Sequence, residues 1–158
     1  MRRILRYGTH IPILIKVMGL TSGPVLELGA GLNSTPFLYW LCRDQGRKFV
    51  SYDNDQAWID RVGYPIQFVD NWDKTDIDKA HWSVALMDHR PGERRPIDAA
   101  RLKDNADFII LHDSEPELDK FYGYEKIYPL FKYRFDYKKV LPNTTVLSNF
   151  VDLEKIFK

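Results

Sequence analysis

The feature that most constrains the fold is the stretch of residues 25–36, where a short apolar run ends in two glycines. Gly29 and Gly31 are separated by one residue and lack a Cβ, so the backbone can turn sharply there and approach a ligand closely. Thr35 and Pro36 follow as an N-cap and a first helical residue. The stretch therefore predicts a strand, a glycine turn and a helix whose free N–H groups point toward the turn.

Glu27 distinguishes this turn from one that binds a pyrophosphate. A dinucleotide fold has no use for a carboxylate two residues before Gly29, and Ser34 stands where its G-x-G-x-x-G fingerprint has a third glycine. An acid before G-x-G suits a cofactor with a cationic amino-acid tail. The pattern resembles motif I of the class I S-adenosylmethionine (SAM) dependent methyltransferases, E/D-x-G-x-G-x-G. Asn33 replaces its third glycine, and Asn tolerates left-handed backbone better than most residues. This resemblance implies cofactor contacts from Glu27, Gly29, Gly31, Asn33 and Ser34.

Length and composition indicate one globular domain. The 158 residues, 44% hydrophobic and 28% charged, contain no linker or low-complexity segment. We expect a single domain over 1–158, with 1–22 as an N-terminal helical segment that packs on it and a helix over 9–20. Lys16 interrupts the apolar run of that helix, which is too short to span a bilayer. We expect neither a targeting segment nor a membrane anchor.

Charge and cysteine content bear on the partners and on the cellular compartment. The net charge of +1 gives no electrostatic reason to expect a nucleic-acid partner. The single cysteine, Cys42, cannot form an internal disulfide and falls in a helix that we expect to be buried, which favours a cytoplasmic protein. Nothing in the residues indicates an oligomeric state.

Ionisable residues follow the predicted strands at one edge. We expect strands over 48–53, 65–70, 80–88 and 107–113, a helix over 98–103, and another helix opened by a capping box over 114–117. Ligands of open α/β sheets bind beyond the carboxyl ends of the strands. The ionisable residues at those ends are Glu27, Asp53, Asp70, Asp88, His112 and Asp113. Their convergence predicts a functional site at this edge.

The last third of the chain breaks the alternation of strands and helices. Two β-rich runs, 133–140 and 144–150, are joined by a connector too short for a crossover helix, so they must pair antiparallel. A parallel sheet that closes in an antiparallel hairpin is typical of the methyltransferase fold and not of the NAD-binding one. We therefore expect an α/β, Rossmann-like SAM methyltransferase fold, with a mostly parallel seven-stranded sheet, a C-terminal antiparallel hairpin and helices on both faces.

Three strand-end residues are candidates for contacts with the adenosyl group. Asp53 lies about twenty residues beyond the glycine turn, the spacing at which a carboxylate reaches ribose hydroxyls, although it could merely begin a turn. The resemblance implies that Asp70 or Asn71 meets the adenine amine, with Trp72 over a ring face. A plain solvated turn is the alternative there. We interpret Trp58 as a core residue.

The segments after the fourth and fifth strands resemble those of O-methyltransferases, including catechol-type and sugar-modifying ones, that hold a divalent metal between equivalent strand tips. By that resemblance Asp88 and Asp113, with His112, would bind Mg²⁺, which prefers hard oxygen ligands and would lower the pKa of a substrate hydroxyl. His89 would be a general base. Alternatively, His112 donates to a backbone carbonyl and Asp113 caps the next helix.

Three arginines, Arg90, Arg94 and Arg95, follow at the same edge. They form either a solvated loop or a site for a phosphate or carboxylate of the substrate.

The sequence thus predicts a SAM-dependent methyltransferase that acts on a small polar acceptor at a hydroxyl oxygen, with Asp88, His89 and His112 as catalytic candidates and Mg²⁺ as a candidate cofactor. Two alternatives stay open. The chain could be a non-catalytic binding module that keeps the fold, or a Rossmann enzyme that uses NAD or a nucleotide. Glu27 and the terminal hairpin disfavour the second of these.

Overall fold

The computed structural model describes residues 7–157 and contains one seven-stranded sheet of order β3-β2-β1-β4-β5-β7-β6. Its strands are β1 (Val25–Leu28), β2 (Phe49–Asp53), β3 (Gln67–Phe68), β4 (Trp82–Met87), β5 (Ala106–His112), β6 (Tyr133–Tyr137) and β7 (Thr144–Ser148). The first five strands pair in parallel, and β7 runs antiparallel to both β5 and β6. The expected fold class and terminal hairpin are confirmed.

Helices cover both faces of the sheet. They are α1 (Ile11–Gly19), α2 (Ser34–Asp44), α3 (Gln56–Val62), α4 (Arg95–Leu102), α5 (Asp119–Tyr122) and α6 (Tyr124–Ile127). Alternate residues of the central strands enter two separate apolar cores, because successive side chains of a strand point to opposite faces. Val84 and Leu86 pack with α1 and α2, whereas Ala85 and Met87 pack with α4 and α6. Cys42 is buried in α2, as expected.

The predicted starts of three helices after α1 are wrong. Asn33, not Thr35, precedes α2, and the Thr35 hydroxyl instead donates to Glu27 and accepts from the N–H of Gly31. The capping box at 114–117 does not form, because the Ser114 hydroxyl accepts from Thr145 and the segment continues as a 3₁₀ turn. Helix α4 begins at Arg95, three residues before the predicted start.

The sheet order places a cleft at one defined point. Strand β1 lies between β2 and β4, so the crossovers leave it toward opposite sides and the loops at its carboxyl end diverge. Such a topological switch point is where open α/β sheets bind ligands. Across residues 7–157, no helix is both long and apolar enough to cross a bilayer.

Candidate functional site

A cavity of about 470 Å³ opens at the carboxyl ends of β1, β2, β4 and β5. Its volume falls in the range of pockets that bind small molecules and cofactors. Residues from every one of these strand ends border it, together with residues that precede α1. Among them are Tyr7, His10, Gly29, Ala30, Gly31, Ser34, Asp53, Trp58, Asp88, His112, Asp113 and Tyr122.

The glycine turn forms one wall of the cavity. Gly29 has a positive φ of 89°, and a Cβ there would lie 2.6 Å from the backbone of both Asp88 and His89. Only glycine therefore allows the loop after β4 to pass so close to the turn. Asn33 lies outside the cavity lining and has a φ of −108°, so its tolerance of left-handed backbone is not used.

Asp53 is tied to the glycine turn and borders the cavity. Its Oδ2 accepts from the N–H of Ala30 at 2.8 Å, and its Oδ1 accepts from the N–H of Asp55 at 2.9 Å. A carboxylate offers about four acceptor positions, so two backbone bonds leave capacity for a ligand. Trp58 also borders the cavity and donates its indole N–H to the Ala30 carbonyl at 2.7 Å, so the interpretation of Trp58 as a core residue is wrong.

Glu27 lies beneath the turn and is fully buried. Its Oε2 accepts from Thr35 at 2.8 Å and from Ser51 at 2.5 Å, and its Oε1 has no hydrogen-bond partner among residues 7–157. Burial raises the pKa of this carboxyl to about 7, against the lowering effect of the hydroxyl donors around it. An acid in this state gains from a nearby cationic ligand, because the charge would favour its ionised form.

Glu27→Gln is expected to remove a pH dependence from the stability of the protein. Since the folded-state pKa is raised, the contribution of Glu27 to wild-type stability is fully present below the unfolded value of 4.5 and is lost as pH rises through about 7. A shift of this size corresponds to on the order of 3 kcal/mol. Urea denaturation of both proteins near these two pH values measures the change. The exposed Glu125→Gln serves as the control. If the difference in unfolding free energy between wild type and Glu27→Gln stays constant with pH, the raised pKa of Glu27 is contradicted.

A cluster of two carboxylates and an imidazole lies at the ends of β4 and β5, where the backbone of Asp88 passes beside the glycine turn. Asp88, His112 and Asp113 each place one ligand-type atom within 4.8 Å of the others. His112 Nδ1 lies 3.1 Å from Asp88 Oδ2 and 3.5 Å from Asp113 Oδ1, while its Nε2 lies 3.0 Å from the hydroxyl of Thr9. The structure thus brings together the three residues that the sequence offered as metal ligands. The alternative is wrong, because His112 pairs with side chains instead of a backbone carbonyl and Asp113 does not cap the following turn.

The pKa values in the cluster diverge. Burial opposes ionisation of Asp88, but the hydrogen bond and charge of His112 outweigh it and lower the pKa of Asp88 to about 2. Burial also opposes protonation of His112, yet Asp88 raises the pKa of the imidazole overall. Asp113 differs, because burial raises the pKa of its carboxyl. A positive φ of 57° holds Asp113 in a conformation that is uncommon for a residue other than glycine.

Arg95 is the buried cation of this cluster. It is 1% exposed and lies at the start of α4 beneath the strand ends. Its guanidinium donates to Asp88 Oδ1 at 2.9 Å, to the carbonyl of His112 at 3.0 Å and to the hydroxyl of Tyr124 at 2.7 Å. The ring of Tyr122 covers its other side at 3.9 Å. Its charge is thus paired inside the protein, so Arg95 does not lie in a solvated loop, and it also borders the cavity.

The other two arginines have different surroundings. Arg94 pairs with Asp73 and Asp98, so it joins the loop after β3 to α4 instead of lying in a solvated loop. Arg90 is exposed and borders the cavity.

The remaining predicted site residues are His89, which borders the cavity, and three residues after β3, which do not. His89 is fully buried with its Nε2 2.9 Å from Asp98, and burial lowers its pKa, so the imidazole does not present itself to a ligand as a base. Asp70 is exposed and pairs with Lys74, while Asn71 caps the following turn. Trp72 is buried in the core. The structure does not bring Asp70, Asn71 or Trp72 to the cavity.

Sequence reasoning missed the residues that reach the cavity from outside the strand ends. His10 and Tyr7 precede α1, and Tyr122 lies in α5. No strand-end pattern marks them. A useful signal was the pair Thr9 and His10 just before an apolar helical segment that packs on the sheet, because polar residues there must lie near a strand edge.

The fold is the Rossmann-like fold of methyltransferases, shared with several solved structures. A methyltransferase from Pyrococcus furiosus is 15% identical, with a TM-score of 0.54 over 90% of this chain and 84% of that one. Spermidine synthase from Thermotoga maritima is 16% identical, with a TM-score of 0.63 over 90% of this chain and 59% of that one. The bifunctional kinase-methyltransferase WbdD is 13% identical, with a TM-score of 0.55 over 89% of this chain and 39% of that one.

This chain spans less than two thirds of the length of the last two proteins. Its sequence matches no protein-family model and no curated protein. At these identities the likeness establishes the fold. The predicted Rossmann-like methyltransferase fold is confirmed, whereas membership of the SAM-dependent methyltransferase superfamily and of its O-methyltransferase subgroup stays a prediction.

Proposed function

We propose that this protein is a SAM-dependent methyltransferase that acts on a hydroxyl oxygen of a small polar acceptor. The observation that carries the proposal is the Asp53 carboxylate, which is bound to the glycine turn and retains acceptor capacity toward the cavity. A carboxylate in this place suits the two hydroxyls of an adenosyl ribose. Glu27 beneath the same turn suits a cationic amino-acid tail, whose charge would complete its ionisation.

When bound, SAM supplies an activated methyl group on a positively charged sulfur. The protein must hold the acceptor oxygen in line with the methyl carbon, so that the new O–C bond forms as the S–C bond breaks. The hydroxyl proton has to leave during this displacement. Asp113 borders the cavity and has a raised pKa, properties that suit a general base. Asp88 and His112 lie beside it as an ion pair that fixes the local charge.

A resident divalent metal fits this cluster poorly. The donor types match, but Asp88 uses one oxygen toward Arg95 and the other toward His112, and both nitrogens of His112 already have partners. Arg95 also supplies the positive charge that a pair of close carboxylates requires. We therefore assign the proton transfer to the side chains and derive no step through Mg²⁺.

Titration with Mg²⁺, Mn²⁺ or Ca²⁺ is consequently expected to leave the melting temperature of the SAM-bound protein unchanged. A metal would have to displace the Asp88–His112 bond before it could use Nδ1 of His112, and it would lie close to the positive charge of Arg95, so its binding would cost interactions that the protein already makes. Thermal-shift titration measures this directly. Stabilisation by a divalent ion that Asp88→Asn and Asp113→Asn each abolish, and that the exposed Asp44→Asn retains, would contradict the assignment and restore the metal site.

Calorimetry with SAM, S-adenosylhomocysteine and NAD on one sample tests the proposed cofactor. We expect binding of the first two and none of NAD, because the carboxyl group of Glu27 beneath the glycine turn does not suit the negative charge of a pyrophosphate. Binding of NAD alone would favour the nucleotide-using enzyme, and binding of none would favour a module that keeps only the fold. A module that binds SAM without using it would instead show no transfer of the methyl group to any acceptor that is added.

A further inference from the structure

The loop after β4 carries an arginine whose charge the described part of the chain leaves unpaired. Arg94 and Arg95 both form ion pairs with carboxylates. Arg90 is exposed, borders the cavity and forms no ion pair with another residue of 7–157. Its backbone is nevertheless anchored, because its carbonyl accepts from the indole N–H of the buried Trp72 at 3.0 Å. Arg90 therefore offers a cation to the cavity from a fixed point of the loop.

Tyr122 borders the same cavity, and its ring is held by its neighbours. The Arg95 guanidinium lies 3.9 Å from the centre of the ring, and the ring of Tyr124 lies 5.4 Å away, centroid to centroid. A Cβ at Gly92 would lie 2.6 Å from Cδ1 of Tyr122, so the loop after β4 packs directly against the ring. The hydroxyl of Tyr122 makes no hydrogen bond within residues 7–157 and is free to bind a ligand.

The charges around Tyr122 make its hydroxyl a donor. Burial raises the pKa of this hydroxyl, and the carboxylates of Asp88 and Asp113 raise it further. Arg95 and Arg90 oppose that rise without reversing it, so the phenol keeps its proton near pH 7. The hydroxyl thus lies within electrostatic range of both the two carboxylates and Arg90. A protonated phenol and a guanidinium together provide the donors that an anionic oxygen accepts from.

We propose that Arg90 and Tyr122 bind a carboxylate of the methyl acceptor, so that the acceptor is a hydroxy acid. The assignment rests on the proposed function and places the reacting hydroxyl at Asp113 and the carboxylate at the loop after β4. The planar guanidinium fits the two oxygens of a carboxylate. A phosphate monoester carries a charge of about −1.5 to −2 near pH 7, which Arg90 alone would not balance close to Asp88 and Asp113.

The experiment compares ligands that differ in charge but share a carbon skeleton. The protein is saturated with S-adenosylhomocysteine and titrated calorimetrically with lactate and 3-hydroxybenzoate, with their neutral amides, and with glycerol 3-phosphate. Wild type should bind at least one of the two acids about tenfold more tightly than its amide, because only the acid makes charge-assisted bonds. Glycerol 3-phosphate should bind more weakly than that acid.

Three variants test which residues cause this preference. Arg90→Gln removes the cation and keeps the backbone carbonyl that accepts from Trp72, so it should stay folded and bind acid and amide alike. Tyr122→Phe keeps the ring over Arg95 and should bind the acid about fivefold more weakly. Arg43→Gln, at an exposed position of α2, is the matched control and should keep the wild-type preference. All three should bind S-adenosylhomocysteine like wild type.

Several outcomes would overturn the carboxylate site. They are equal binding of acid and amide by wild type, a preference that persists in Arg90→Gln, tighter binding of glycerol 3-phosphate, and no binding of any of these ligands. A lower affinity of Arg90→Gln for S-adenosylhomocysteine would also overturn it, since Arg90 would then bind the carboxylate of the cofactor. Failure of wild type to bind S-adenosylhomocysteine would overturn the proposed function instead.

Discussion

Asp53→Ala is expected to weaken SAM binding at least tenfold while leaving the protein folded. A hydrogen bond to a charged acceptor contributes about 1.5–3 kcal/mol, so the loss of one ribose contact already accounts for that factor. Asp53 also accepts from the N–H groups of Ala30 and Asp55, and its removal leaves the turn less rigid, which adds to the effect. Titration calorimetry of the purified variant measures the change.

Two further variants separate the ribose contact from the support of the turn. Asp53→Asn keeps the shape of the side chain and one acceptor oxygen but removes the charge, so it should lie between wild type and Asp53→Ala. Asp44→Ala removes an exposed carboxylate from α2 and should bind SAM like wild type. If Asp53→Ala binds SAM with the dissociation constant of wild type, Asp53 has no ribose contact and only begins a turn.

Arg95→Met is expected to destabilise the protein by at most about 3–5 kcal/mol, the usual effect of removing one partner of a buried ion pair, because Asp88 keeps some contact with solvent. The substitution leaves the half-buried Asp88 with a single cationic partner and deprives the His112 carbonyl of a donor. It also removes the charge that faces the Tyr122 ring. Urea denaturation at neutral pH measures the loss as a lower transition midpoint.

The combination Arg95→Met with Asp88→Asn should recover part of that loss, because neutralising Asp88 removes the unpaired charge. Arg43→Met, at an exposed position of α2, serves as the control for loss of an arginine and should change stability little. If Arg95→Met unfolds at the wild-type urea concentration, then Arg95 does not hold the cluster together and the case against a metal weakens with it.

The fold was predictable because its signals are local. Four apolar segments that each end in an acid, and a hairpin whose connector excludes a crossover, define a mostly parallel sheet with an antiparallel edge. The first turn was predictable for the same reason, since Gly29 and Gly31 follow directly after the apolar residues of β1. The structure adds that only glycine lets the loop after β4 pass so close to residue 29.

The interior of the site was less predictable because it depends on pairing between distant residues. Arg95 looked like part of a solvated run of arginines, but the early start of α4 turns it under the strand ends toward Asp88. His89 directly follows Asp88, yet the strand alternation directs it to Asp98 and the opposite face. His10 reaches the cavity only because α1 packs on the sheet. Such contacts are set by packing, which sequence spacing does not encode.

The most direct test of the proposed function is a crystal structure of the protein with S-adenosylhomocysteine. We predict that both ribose hydroxyls donate to Asp53, that the amino-acid tail lies over the turn formed by Gly29 and Gly31, and that the sulfur faces the cluster of Asp88, His112 and Asp113. A ligand whose ribose lies away from Asp53, or one that binds outside this cavity, would contradict the proposal.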